Sequence, residues 1–178
     1  MPQRGAEDDT WLSGDFAGFL NEFDAESDRA AAVLAAAFLD EQIKSLIEDF
    51  FVDDSKEVDR LLGINRPLGG FSSRIHVAFC MGLLSRDELH DLRIIRDIRN
   101  KFAHRLHGLT FEDEWVRQKC DALKLPGTAP EWPIHKGARN PFTVASALLT
   151  VNLVRRGAQF QHERRVVPRS FEIDEKMH

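Results

Sequence analysis

Tyrosine is absent from the 178 residues, and cysteine nearly so, with Cys80 and Cys120 the only two. They lie far apart, form no C-x-x-C pair and match no zinc-ligand spacing, which excludes a disulfide scaffold and a structural zinc site. No apolar run approaches the roughly 20 residues needed to span a bilayer. The opening MPQRGAEDDTW lacks the basic-then-apolar order of a secretory signal, so the expected location is a reducing cytoplasm. There is no Gly-rich phosphate loop, no G-x-S-x-G and no H-E-x-x-H. His76, His90, His107 and His135 share no metal-ligand spacing, and neither a metal nor a cofactor is expected. No stretch alternates apolar and polar residues as a half-buried strand does.

What is present is the balance of a soluble globular chain, 43% hydrophobic and 30% charged. The net charge of −5 conceals a split, since residues 1–60 hold 16 acids against 5 bases and the remainder 13 against 19. Either the basic part faces an anionic partner, or the two parts cancel across one folded surface.

Helical signals dominate. Asp9-Thr10 can cap a first short helix carrying Trp11, Leu12, Phe16, Phe19, Leu20 and Phe23. Ser27 and Asp28 precede a long alanine-rich helix from Arg29 to about Val52, uninterrupted by Gly or Pro. Its expected apolar face is Val33, Leu34, Ala37, Phe38, Ile43, Leu46, Ile47, Phe50 and Phe51. A short helix over Ser55–Leu62 ends at Gly63, and the Gly- and Pro-rich segment to Gly70 is a loop. The next helix, begun at Phe71 or Ser72 and running over Arg74–Leu84, is apolar almost all round, which points to the centre of the fold. Ser85 and Glu88 form a capping box that opens a helix to about His104. Thr110 and Asp113 are a looser version of that box before a helix over Phe111–Leu123. After the loop at 124–140 a last helix covers Pro141–Gln161. The prediction is all-α: one helical bundle of five to seven helices over residues 1–161, with 162–178 a mobile charged tail.

The helix ending at His104 holds the candidate chemistry. With Leu89 as origin and about 100° per residue, Arg99 falls near 280°, inside the apolar arc. A guanidinium there must either bend its head toward Asn100 and His104 or pair with a carboxylate from another helix. Asn100 and His104, four apart, share a face. In the first arrangement His104 can move a proton, Arg99 can offset charge on a phosphorane-like transition state, and Asn100 can position the substrate. RNA brings its own 2′-hydroxyl nucleophile. In the second, His104 simply complements the helix dipole and Arg99 is a structural ion-pair partner.

Arg99-Asn100-Lys101-Phe102-Ala103-His104 resembles the R-x4-6-H motif of the HEPN superfamily. That resemblance implies a helical, commonly dimeric domain, often a metal-independent endoribonuclease whose site forms where two motif helices meet. A second resemblance covers residues 28–116. Leu61-Leu62, Pro67-Leu68-Gly69, Phe71-Ser72, Arg74-Ile75, Gly82-Leu83-Leu84, Glu88 and the helix ending in Arg99 and His104 are similar to the mannitol operon repressor family. It implies an all-α intracellular regulator of sugar-alcohol uptake that lacks a standard DNA-reading motif. The Pro-rich loop and the C-terminal tail depart from that family's pattern.

Direct sequence-specific DNA binding is not expected. In a helix-turn-helix reading the second helix would offer only Arg74 and His76, and the connecting loop is too long. Arg74, Arg93, Arg96 and Arg105 are candidate nucleic-acid contacts, although Pro67 and Gly69 can equally shape a turn in which Arg74 pairs with an acid of the long first helices; Arg155, Arg156, Arg164, Arg165 and Arg169 make the tail basic. The sequence therefore predicts a homodimer with an RNA or protein partner. It acts as a negative regulator of a carbohydrate operon, or as an endoribonuclease of the toxin or defence type using Arg99, Asn100 and His104, or as a catalytically silent interaction module.

Overall fold

Why the chain turns where it does is clearest at its caps. In the computed structural model, which describes Phe23 and residues 25–105, 107–128, 137–160 and 163–168, Ser27 caps α1 (Asp28–Phe50) by accepting from the Ala30 N–H at 3.2 Å. Asp54, rather than Ser55, caps α2 (Ser55–Leu62), taking the N–H groups of Lys56 and Glu57 on one carboxylate oxygen. α3 (Phe71–Cys80) stops earlier than its apolar run suggests. Gly82 follows at φ 78°, a left-handed turn that suits glycine, and lets the Leu83 N–H close onto the Ala78 carbonyl.

The capping box at Ser85 is present in full. Ser85 accepts from the Glu88 N–H at 3.2 Å, and Glu88 accepts from the Ser85 N–H at 2.7 Å. It opens α4 (Arg86–His104). α5 (Glu114–Asp121) is shorter than predicted because Asp113 turns back to accept from the Thr110 N–H at 2.7 Å. That bond holds the Asp113 carboxyl below its ordinary value, outweighing the opposing loss of solvation and aided by the Thr110 hydroxyl and the Arg105 charge. A 3-10 turn at Leu125–Thr128 and α6 (Asn140–Phe160) complete six helices among the described residues. No strand occurs among them. The predicted helix before Phe23 and the loop residues 129–136 lie outside the described residues.

α1 is the central element, packed against α3, α4 and α6. Its buried face is Ala31, Ala32, Ala35, Ala36, Leu39, Ile43, Leu46, Ile47 and Phe50. This corrects the sequence expectation, because Val33, Leu34, Ala37 and Phe38 point outward. The reason is steric: alanines on the core side let neighbouring helices approach closely, and close approach rather than side-chain size determines the seam. Beyond them Phe102, Phe111 and Phe142 stack in series, with ring centroids 5.2 and 5.0 Å apart.

Two buried ion pairs tie the layers together. Arg74 reaches from α3 to Asp40 of α1 at 2.8 Å. Arg156 of α6 grips Glu88 of α4 with two bonds of 2.8 and 3.0 Å. Asp91, fully buried, accepts from the Lys124 and Leu125 N–H groups and anchors the 3-10 turn; burial nevertheless leaves its pKa raised. Of the predicted tail, residues 163–168 return to the end of α1. There the Arg165 N–H donates to the Phe50 carbonyl and Arg164 pairs with Asp53 at 3.2 Å.

Candidate interaction face

The C-terminal half of α4 lies beside the N-terminal half of α1. Arg29, in the first turn of α1, donates to the Arg105 carbonyl just past the end of α4. One end of the seam is thereby fixed. Further along, the Arg99 charge is felt by Asp40. On α1, Arg29 and Asp40 lie within about 20° of each other around the helix and mark the edge nearest α4, while Val33 and Ala37 are exposed. On α4 the corresponding edge carries Arg99 and, four residues on, Ala103.

Arg99 takes neither of the two simple outcomes. It is half-buried, and among the described residues it makes no hydrogen bond or ion pair. Asp40 is already held by Arg74. Burial raises the Asp40 pKa against the opposing Arg74 bond and the Arg74 and Arg99 charges. Asn100 is half-buried and His104 exposed, and neither has a hydrogen-bond partner among the described residues. Arg99 and His104 are five positions apart, which places them about 140° apart around the helix and about 7.5 Å along it. Arg99 thus faces the α1 seam, while Asn100 and His104 face solvent.

The predicted nucleic-acid contacts separate in the same way. Arg74 is 7% exposed and donates to Asp40 and to the Leu62 and Leu68 carbonyls. A phosphate contact is therefore replaced by a structural one: the motif Pro67 to Arg74 is a knot that locks the α2–α3 loop to α1. Arg96 is held by Asp97 and the Ser72 hydroxyl, each at 2.8 Å. Arg105 lies 3.9 Å from Asp113 across an exposed gap. Arg93 is exposed and makes no pair among the described residues. No group of side chains able to hold a metal occurs among the described residues, and no helix among them is long and apolar enough to cross a membrane.

Sequence reasoning missed the exposed apolar side chains of α1 and α5. Val33 is 38% exposed and Leu34 46%. Trp115 of α5, 37% exposed, sits between Lys101 and Lys119 with the two ammonium groups 5.2 and 5.5 Å from its ring. The available signal was the alanine pairs 31–32 and 35–36, which spread over the helix face opposite Leu34. A large cleft of about 800 Å³ lies elsewhere, between the end of α1 and α2. Glu41, Glu48, Asp53, Asp54 and Asp59 line it beside Lys44, Arg66 and Arg164.

The sequence profile of the family described as MtlR, mannitol repressor, matches residues 20–167. Among solved structures, the X-ray structure of the MtlR–HPr complex from Escherichia coli is similar, with a TM-score of 0.57 and 21% identity over 80% of this chain and 95% of that one. A search of curated proteins finds no match. The structural likeness concerns the fold. The profile covers most of the chain, and with it the Pro67–Arg74 knot and the whole of α4: the chain belongs to the mannitol repressor family.

Proposed function

We propose that the chain is a negative regulator of a carbohydrate operon of the mannitol type, acting inside the cell through protein contacts. Family membership over residues 20–167 carries this reading. The geometry of α3 supports the protein-contact part. A helix that reads DNA needs a polar, basic outer face, and α3 turns Arg74 inward and exposes Ser72, His76 and Cys80. Because the similar Escherichia coli structure is a complex with HPr, an HPr-like protein is the first partner to test. Deleting the gene and following a mannitol-operon reporter without inducer should raise expression, and the restored gene should lower it again. An unchanged reporter in the deletion strain sinks the reading.

A second reading, a metal-independent endoribonuclease, draws support from the absence, among the described residues, of side-chain hydrogen bonds on Arg99, Asn100 and His104. The separation of Arg99 from His104 around α4 means that this chemistry needs a homodimer to supply the second half of the site. RNA cleavage in EDTA by the wild type, lost in Arg99→Ala/His104→Ala, would establish it. No cleavage, or equal cleavage by the variant, removes it and leaves the interaction module.

A further inference from the structure

We propose that the cleft between the end of α1 and α2 is an effector site for an uncharged, polyhydroxylated small molecule of the sugar-alcohol class; this deepens the regulator reading above and rests on it for the role of the ligand. At about 800 Å³ the cleft has the size of a small-molecule site. One wall is α1, where Glu41, Lys44 and Glu48 recur at i, i+3 and i+7 on one face. Lys44 lies 3.4 Å from Glu41 and 3.7 Å from Glu48, long and partly exposed contacts that hold none of the three tightly. The other wall is the end of α2 and the loop after it. Arg74 braces that loop through the Leu62 and Leu68 carbonyls, and the Gly69 N–H donates to the Arg66 carbonyl at 2.8 Å. Val52, Val58 and the buried Leu62 add an apolar part to the lining.

The observation that points to a ligand lies at Gly63. A methyl group there would meet the Asp59 Oδ1 at 3.0 Å and the Arg66 Cγ at 3.4 Å, so these two side chains flank one point of the wall. They carry opposite charges, yet neither side chain makes a hydrogen bond or ion pair among the described residues. A carboxylate that only accepts and a guanidinium that only donates, close together and unoccupied, match two neighbouring hydroxyl groups. One hydroxyl donates to Asp59 and the other accepts from Arg66. The α1 wall offers the same alternation of acceptor, donor and acceptor. The signs of the lining narrow the class of ligand, with five carboxylates and four cations among the described residues. A phosphate would lie against the carboxylates, and a free cation against Lys44, Arg66 and Arg164. An apolar ligand would strip water from both signs and replace it with nothing. An amino-acid zwitterion brings one group of each sign and leaves most of both walls unmatched. Each hydroxyl of a polyol both donates and accepts, so it serves either sign without adding charge.

Isothermal titration calorimetry of the full chain tests this with mannitol, sorbitol and xylitol, and with mannitol 1-phosphate and glutamine as anionic and zwitterionic counterparts. At least one of the three sugar alcohols should bind saturably at one site per chain, and more tightly than either counterpart. Asp59→Ala and Arg66→Ala should each weaken that binding roughly tenfold or more, the loss expected on removing a charged hydrogen-bond partner. Arg117→Ala, exposed on α5 and outside the cleft, should leave it unchanged. Because the Asp59 and Arg66 side chains have no internal partner, both variants should keep the wild-type circular dichroism spectrum and melting temperature. If either melts early, Glu41→Ala on the facing wall reads the same loss. Sugar alcohols also stabilise proteins generally by exclusion from their surface; that effect neither saturates nor depends on Asp59, so binding heat and not melting is the readout. No saturable binding of any of the three, binding indifferent to the cleft variants, or preference for the phosphate ester or glutamine overturns the proposal. The operon reporter keeps the two readings apart. Derepression in the deletion strain without polyol binding removes the effector site and leaves the regulator, whereas polyol binding with an unchanged reporter keeps the site and removes the regulator.

Discussion

Replacing Arg156 with alanine tests the account of how α4 is held. Glu88 is 2% exposed and its carboxylate has two partners. One is the Ser85 N–H of its own capping box; the other is the Arg156 guanidinium, which also donates to the Leu83 carbonyl at 2.9 Å. Removing the arginine leaves a buried carboxylate without its counter-charge, a change that typically costs about 3–5 kcal/mol. The arginine side chain is 24% exposed, so water can reach part of the vacated site, and we expect the lower end, about 3 kcal/mol. With a urea dependence of about 2 kcal/mol per molar for a chain of this size, the midpoint should fall by about 1.5 M. Glu88→Gln keeps an oxygen for the cap and loses only the charge, a cost of about 1.5 kcal/mol. In the double variant the amide no longer needs a counter-charge, so the combined loss should be smaller than the sum by about 1–2 kcal/mol.

Acidity gives the same experiment an independent arm. Burial alone would raise the Glu88 carboxyl, but the Arg156 bonds, the Ser85 bonds and the Arg156 charge together hold it below its ordinary value. A carboxyl depressed in the folded state contributes stability above its unfolded pKa and loses it as pH falls through the folded one. The gap between wild type and Arg156→Ala is therefore widest near neutrality and should close below the ordinary carboxylate range. Urea titrations followed by far-ultraviolet circular dichroism at several pH values measure both arms. A neutral-pH midpoint shift under about 0.3 M, the scale of an exposed pair, or strictly additive variants would refute the reasoning.

Other perturbations follow from the same contacts. Gly69→Ala should destabilise by about 1–3 kcal/mol through overpacking, because a methyl group there would meet the Gly63 carbonyl oxygen at 2.7 Å and the Arg66 carbonyl oxygen at 3.0 Å; thermal melting checks it, and an unchanged melting temperature contradicts the knot. Asp91→Ala leaves the Lys124 and Leu125 N–H groups without acceptors and should cost about 2 kcal/mol, with hydrogen exchange accelerating first at 124–125. The two thiols should differ sharply toward a maleimide at neutral pH. Cys80 is exposed, whereas burial, with a smaller effect from Asp121, pushes Cys120 up to about 12. Labelling of both at equal rates would contradict the burial of α5 against the core.

What the chain discloses in one dimension and what it withholds separate along a physical line. The capping box at Ser85 spans four consecutive residues, and its geometry is complete within them, so it is legible without any neighbour. The same holds for the all-helical class and the loop before α3, whereas the stop at Gly82 goes unread because the apolar run continues through it to Leu84. The Arg156–Glu88 and Arg74–Asp40 pairs join residues 68 and 34 positions apart, and no local pattern specifies them. Around Arg74 the sequence offers two readings, a turn whose arginine pairs with an acid of the long first helices or a phosphate or partner site, and only the structure names Asp40 as the partner.

The α1 face is the instructive failure. Ranking its residues by side-chain hydrophobicity selects Val33, Leu34 and Phe38 and passes over the alanines, since burying a methyl group yields less than burying an isobutyl. Helix packing applies a different criterion. Where helices must approach closely, the small residue is the one that fits, and the larger apolar residues are displaced to the outside. Alanines grouped on one face of a long helix, with larger apolar residues on the opposite face, therefore mark a helix with two assignments: a tight seam within the fold and an apolar strip left outside. Arg99 shows the same limit on α4: its position around the helix marks a seam, and the opposite charge it meets there, Asp40, is one that Arg74 already holds.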